Sequence, residues 1–144
     1  MNITVQKATF GDSLWFTIKE IRYEVFVVEQ KVDEAEEYDE FESECPHFLA
    51  YAEGTPAGTA RWRTTEKGFK LERFAVLENF RKFGVGSALV QAVLAEVLPI
   101  SEGKKIYLHA QVQALPFYQK LGFEAFGEEF VEAEIAHRAM KWVG

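Results

Sequence analysis

Between Leu14 and Val28 the apolar residues Leu14, Ile18, Ile21, Val25 and Val28 recur at spacings of four and three. That stripe predicts an amphipathic helix running to about Gln30, and Gly11-Asp12 ahead of it predicts the helix N-cap. The preceding "ITVQKATF" alternates as a first strand does. From Cys45 onward the period is two: "HFLAYAEG", "TPAGTARWRTT" and "FKLERFAVLEN" predict three consecutive strands, divided by turn chemistry at Gly54-Thr55-Pro56 and Lys67-Gly68. Such an arrangement is an antiparallel meander. Val85, Leu89, Ala92, Val93 and Val97 mark a second helical face, closed by Pro99. "KKIYLHAQV" reads as a buried strand, and "ALPFYQKLGF" as a short helix with Pro116 in its first turn and Gly122 as its C-terminal cap. Two last strands are predicted near Glu124 to Val131 and Arg138 to Val143. With no internal repeat or linker, the order predicts one mixed α/β (α+β) domain over residues 1–144.

One stretch has no stripe to bury. "DEAEEYDEFESE", Asp33 to Glu44, carries eight carboxylates in twelve residues and predicts a solvated loop or short helix. Its acidity dominates the chain, whose formal net charge is −7. A balance of that sign argues against broad nucleic-acid binding, which requires a basic face. At 144 residues the chain can bury about 70% of its unfolded surface without a disulfide or metal staple. Cys45 is the only cysteine, and His47, His109 and His137 show no metal-ligand spacing. The N-terminal "MNITVQKATF" lacks the basic flank and apolar run of a secretory signal, and no run of 18 apolar residues occurs. A cytoplasmic protein is expected, a monomer or homodimer without a membrane or nucleic-acid partner.

Against this background "RKFGVG", Arg81 to Gly86, is a basic, glycine-rich turn set directly before a helix. Exposed amides, the positive end of a helix dipole and close approach at glycine together make an anion cradle. The turn is not a P-loop, because no Gly-Lys-Ser/Thr follows. Nor is it the dinucleotide fingerprint, whose third glycine position holds Leu89 and whose parallel repeat is replaced by a meander.

The pattern resembles the pyrophosphate loop of the GNAT superfamily of N-acetyltransferases, Gln/Arg-x-x-Gly-x-Gly/Ala, met by Arg81, Gly84 and Gly86. Upstream, "LERFAVLENF" is similar to that family's fourth strand, and downstream "ALPFYQKLGF" is similar to its A-x-x-F-Y-x-x-x-G-F segment. "IRYEVFVVEQ" and "AQVQALPFYQKLGF" resemble the small bacterial ElaA-like and YjcF-like subgroup.

The resemblance implies a GNAT fold, acetyl-CoA or another acyl-CoA as cofactor, and transfer of the acyl group to a primary amine of a small molecule or peptide by direct attack of the amine on the thioester. It implies that the backbone of Phe74, Ala75 and Val76 pairs with the pantetheine arm. Arg81, Lys82, Phe83, Gly84, Val85, Gly86 and Ser87 would hold the pyrophosphate, with Gln113 and Phe117 also at the cofactor. Tyr118 takes the place of the family's general acid toward the departing thiolate, or packs as a core tyrosine. Glu72 stands where some members carry the general base, or is an exposed strand glutamate. Arg22, Glu29 and His137 are implied at the acceptor, with Arg61 and Arg63 as further candidates for an acceptor carboxylate. Alternatively the arginines only pair with the acidic segment. That segment either draws a protonated amine toward the cleft or only aids solubility. A catalytically silent acyl-CoA-binding domain is the alternative to an enzyme.

Overall fold

The alternating segments assemble into one seven-stranded sheet of order β1-β2-β3-β4-β5-β7-β6 in the computed structural model, which describes residues 1–144. The strands are β1 (Ile3–Ala8), β2 (His47–Ala52), β3 (Thr55–Thr65), β4 (Gly68–Val76), β5 (Ile106–Gln111), β6 (Phe123–Glu132) and β7 (Ile135–Trp142). The helices are α1 (Ser13–Arg22), α2 (Glu34–Glu37), α3 (Val85–Ser101) and α4 (Leu115–Gln119). All neighbours run antiparallel except β4 and β5. This parallel pair is held together only from Phe69 opposite Ile106 to Leu71 opposite Leu108, and beyond it the two strands part.

Each face of the sheet carries one long helix. On one side Val85, Leu89, Val93 and Val97 of α3 are buried against Phe48, Leu71, Leu108 and Met140, with Tyr118 of α4 in the same core. Opposite it, Trp15, Ile18 and Ile21 of α1 pack with Leu49 and Ala75. The predicted meander is β2-β3-β4.

Three local predictions are corrected. The first helical stripe stops being α-helical at Arg22, and Tyr23–Glu29 wind as a π-helix. Its wider turn is recorded by the Gln30 N–H donating to the Val25 carbonyl at 3.1 Å. Val25 and Phe26 therefore turn inward while Val28 faces solvent. Pro99 does not close α3, which continues to Ser101. Pro99 cannot donate to the Ala95 carbonyl, but both residues are exposed in the last turns, where the freed acceptor is open to solvent. The last two strands are longer than predicted and meet in a two-residue turn, Ala133-Glu134, at φ 51° and 64°. Neither residue is the Asn-Gly or Asp-Gly type that announces such a hairpin.

Candidate active site

Where β4 and β5 part, a cleft of about 610 Å³ opens between them. Its walls include Leu71, Glu72, Arg73 and Phe74 of β4, Leu108 to Gln111 of β5, Tyr118 of α4, and His137 of β7. Phe26, Gln30 and Val32 reach it from the π-helical turn and the residues just after it, a direct consequence of the inward rotation there. Arg73 sits at φ 60°, next to a register shift between β3 and β4. This bulge bends β4 where β5 leaves it, so the strand's outer edge past Leu71 has no neighbour and is open to an extended ligand arm.

At the end of β4 the chain passes through a short 3₁₀ turn, Glu78–Phe80, into the glycine-rich turn and α3. α1 and α2 begin with carboxylate caps: Asp12 accepts from the Leu14 and Trp15 N–H groups, and Asp33 from that of Ala35. α3 begins at Gly84, in the left-handed region at φ 90°, with no side-chain cap. Its first amides, at the positive end of a 17-residue helix, are thus left for an outside anion. A Cβ on Gly86 would lie 3.1 Å from the Phe117 ring, so a side chain there would crowd the mouth of this cradle. Lys82 is exposed beside it. Arg81 lines the cleft, but its guanidinium donates to both oxygens of Glu29 at 2.5 and 2.6 Å and to the Val76 carbonyl at 3.0 Å. The side chain braces the turn against β4 and the π-helix, leaving the cradle to backbone amides and Lys82. Glu29, implied at the acceptor, is instead Arg81's partner and lies outside the cleft wall.

Tyr118 packs edge-on against Phe74, Phe117 and Phe123 and still reaches the cleft. A phenol is protonated at neutral pH, and burial pushes this one further above its usual range.

The acidic segment forms the short helix α2 and keeps Asp33, Glu34, Glu36, Glu40 and Glu44 exposed, as expected, but Glu37 and Glu42 are buried. Arg22, 1% exposed, donates through Nε to Glu37 at 2.7 Å and through both terminal nitrogens to Glu42 at 2.8 and 2.7 Å. Arg61, equally buried, holds Asp39 at 2.9 and 2.6 Å and Glu42 at 2.9 Å. Burial raises the Asp39 carboxyl, but Arg61 outweighs it and the pKa falls to about 2. Arg22 and Arg61 are therefore spent on internal carboxylates and cannot reach an acceptor, which corrects the acceptor role for Arg22. Arg63 likewise donates to Glu72, at 2.7 Å.

Glu72 does line the cleft, yet it is buried and held by Arg61, Arg63 and Lys70 at 3.0, 2.7 and 3.4 Å. Burial alone would raise its pKa, but these cations outweigh it and the carboxyl sits below its ordinary range. A carboxylate so neutralised is a weak base, and the exposed-strand reading also fails.

Along β5, Tyr107, His109 and Gln111 share the face opposite Leu108 and Ala110. His109 Nδ1 lies 3.3 Å from Glu132 of β6. Burial opposes it, but the bond from His109 comes first and lowers the Glu132 pKa to about 2. His137 is 8% exposed, stacked on Phe130, with Nδ1 2.7 Å from the Ile135 carbonyl. Gln113 donates to Gln111 at 2.6 Å and Gln111 to Gln30 at 2.7 Å, a polar chain across the cleft mouth.

The model of the acetyltransferase (GNAT) domain matches residues 10–143. The chain belongs to this family. It is therefore an acyltransferase of the acyl-CoA-dependent kind. It is 41% identical over 121 residues to the uncharacterized N-acetyltransferase YjcF of Bacillus subtilis, covering 83% of this chain and 86% of that protein. Among solved structures, Escherichia coli ElaA superposes with a TM-score of 0.84 at 24% identity, over 99% of this chain and 100% of that one. A Bacillus subtilis acetyltransferase in complex with CoA superposes with a TM-score of 0.71 at 16% identity, over 98% of each chain.

In this GNAT domain the parted strands bring together Glu72, Phe74, Arg81, Gln113, Tyr118 and His137, all lining one cleft. Ala75 is buried on the α1 side, so only its main chain is available to a ligand. Val76 and Phe117 flank Gly86, and residues 82–87 form the adjoining turn. From the sequence alone His109 is a weaker candidate for the base than Glu72, more often structural than catalytic, and neither Glu132 nor the left-handed Arg73 carries a signal that marks it. Alternation in "KKIYLHAQV" already puts His109 on a face with Gln111, but Glu132 comes to it only through the β5-β7-β6 order.

Proposed function

We propose that the protein transfers an acetyl group from acetyl-CoA to a primary amine, by direct attack of the amine on the thioester. The observation that carries this reading is the uncapped start of α3 beside an unpaired β4 edge. The residues present fit the cosubstrate. Amides of residues 82–87 and Lys82 suit the diphosphate, and the edge from Phe74 to Val76 suits the pantetheine amides. Bound there, acetyl-CoA supplies the activated acetyl group.

The rest is done by the chain's own side chains. Tyr118, a phenol that holds its proton at neutral pH, is the donor toward the departing thiolate. Phe74, packed against Tyr118, fixes the ring's direction. Main-chain placement of the donor against the acceptor converts a bimolecular step into one within the complex. Arg73 and His137 line the acceptor part of the cleft, and the arginine-bound acidic segment forms its outer wall through Glu36 and Glu37.

The test is thiol release from acetyl-CoA with a panel of amines, comparing wild type with Tyr118→Phe. Turnover by wild type and a kcat loss of roughly 10²-fold or more in the variant, with CoA affinity kept, supports the reading. Stabilisation by CoA with no turnover on any amine would favour a silent acyl-CoA-binding domain instead.

A further inference from the structure

We propose that His109, oriented by Glu132, is the proton acceptor for the attacking amine. This rests on the amine-transfer reading above and assigns the task that Glu72 is placed badly to perform.

The tautomer follows from the partner. An ionised carboxylate only accepts hydrogen bonds, so the contact between His109 Nδ1 and Glu132 Oε2, 3.3 Å, is an Nδ1–H donated to the carboxylate. Nε2 then carries the lone pair, and the ring lines the cleft with 27% of its side chain exposed. Phe130 packs edge-on against the ring at 5.0 Å and limits its rotation. When Nε2 takes a proton, Glu132 stands beside the resulting imidazolium as its counter-ion.

The surroundings separate this histidine from the other basic candidates. From β4, Lys70 and Glu72 face the same side of the sheet, but they pair with each other at 3.4 Å. Glu72 answers further to Arg61 and Arg63, so its charge is already matched. From β7, His137 is only 8% exposed and its Nδ1–H is donated to a backbone carbonyl, so Glu132, although near enough to feel its charge, is hydrogen-bonded to His109 and not to His137. Tyr107 hydrogen-bonds to Thr65 at 2.6 Å and is no acceptor for the cleft. Across the cleft Arg73 is bound to Asp39 at 3.2 Å, and Glu37 to Arg22. His109 is thus the cleft base whose free nitrogen is backed by its own carboxylate.

The proton account closes. His109 Nε2 removes one proton from the acceptor's ammonium group and later passes it to solvent. The freed electron pair forms the C–N bond to the thioester carbonyl carbon. As the C–S bond breaks, the thiolate takes the Tyr118 proton, and the surplus proton on the new amide nitrogen returns to the phenolate through water. One ammonium and one thioester give one amide, one thiol and one released proton.

The experiment measures kcat/KM against pH from 5 to 10 by thiol release. It uses acetyl-CoA and whichever amine of the panel wild type turns over best, with CoA affinity measured calorimetrically for each protein. His109→Gln is expected to lose roughly 10²- to 10³-fold at pH 7 and to regain rate tenfold per pH unit up to the amine's own pKa. Its CoA affinity should stay within about twofold, and added imidazole should restore part of the rate to His109→Gly. Glu132→Gln, a positioning change, should lose about tenfold and move the acidic limb of the profile to lower pH. His137→Gln should raise KM for the amine and leave that limb in place. Wild-type kcat/KM and an unmoved acidic limb in His109→Gln would overturn the role of His109 alone. Absence of turnover by wild type on every amine, with CoA still bound, would overturn the transfer reading and the proton acceptor with it.

Discussion

Arg61 shows why the chain places so much charge inside a small domain. Its guanidinium touches Asp39, Glu42 and Glu72, which come from the segment before β2 and from β4, and it is itself 1% exposed. Removing it leaves several carboxylates buried without their cation, a change worth about 3–5 kcal/mol in comparable buried pairs. Arg61→Leu is expected to lower the stability measured by urea unfolding by about that amount, whereas Asp39→Asn, at the more exposed edge of the network, should cost less. None of this pairing is visible locally. Arg22 and Glu42 are twenty positions apart and Arg61 and Asp39 twenty-two, so the run of acids looks solvated until its arginines are located in space.

Among the elements, the β6-β7 hairpin is held by a turn whose two residues both have positive φ, Ala133 and Glu134. Such conformations cost non-glycine residues about 1 kcal/mol or more each. Replacing the pair with Asn-Gly should raise the thermal midpoint by several degrees, since the change removes strain. A lowered midpoint would mean that Ala133, which lines the cleft wall, is needed there for packing. Sequence patterning was informative in proportion to regularity. The stripe of Val85, Leu89, Val93 and Val97 marks α3 faithfully because that helix keeps a 3.6-residue turn against an apolar sheet. The first stripe misleads after Arg22 because a π-helical turn has a different period. The glycine-rich turn could be read because Gly84 serves a backbone need that no other residue meets as easily. His109 and Glu132 could not be paired, since strand order is a property of the whole sheet.

Taken as one molecule, the domain has internal carboxylates that must stay charged and one histidine that must stay neutral. Asp39 has a folded pKa of about 2 against an ordinary 3.8, and Glu42 is also lowered, because Arg22 and Arg61 outweigh the cost of burial. Their stabilising contribution is complete above the unfolded values and is lost as pH falls through the folded ones. His47 is depressed below 6.5 first by burial, with Arg22 and Arg61 adding to the effect against Glu42. The unfolded chain therefore binds more protons at that site, and stability is lost as pH falls from 6.5 toward the folded pKa. Thermal unfolding should show a plateau near pH 7 to 8 and a first decline below about 6.5. A steeper loss should follow below about 4. His47→Gln should remove the first decline while keeping the second. A midpoint that rises on acidification from pH 7 to 5 would contradict the buried-network account.

All of the proposed chemistry depends on an anion site made by a helix that has no cap of its own. Calorimetric titration of CoA into wild type and Gly86→Glu tests it most directly, because the added carboxylate enters the cradle while the exposed Phe117 ring can move aside to preserve the fold. Micromolar to submillimolar binding by wild type, reduced at least 100-fold in a folded Gly86→Glu, is the predicted result. No binding by wild type at millimolar CoA, or equal affinity in the two proteins, would contradict it.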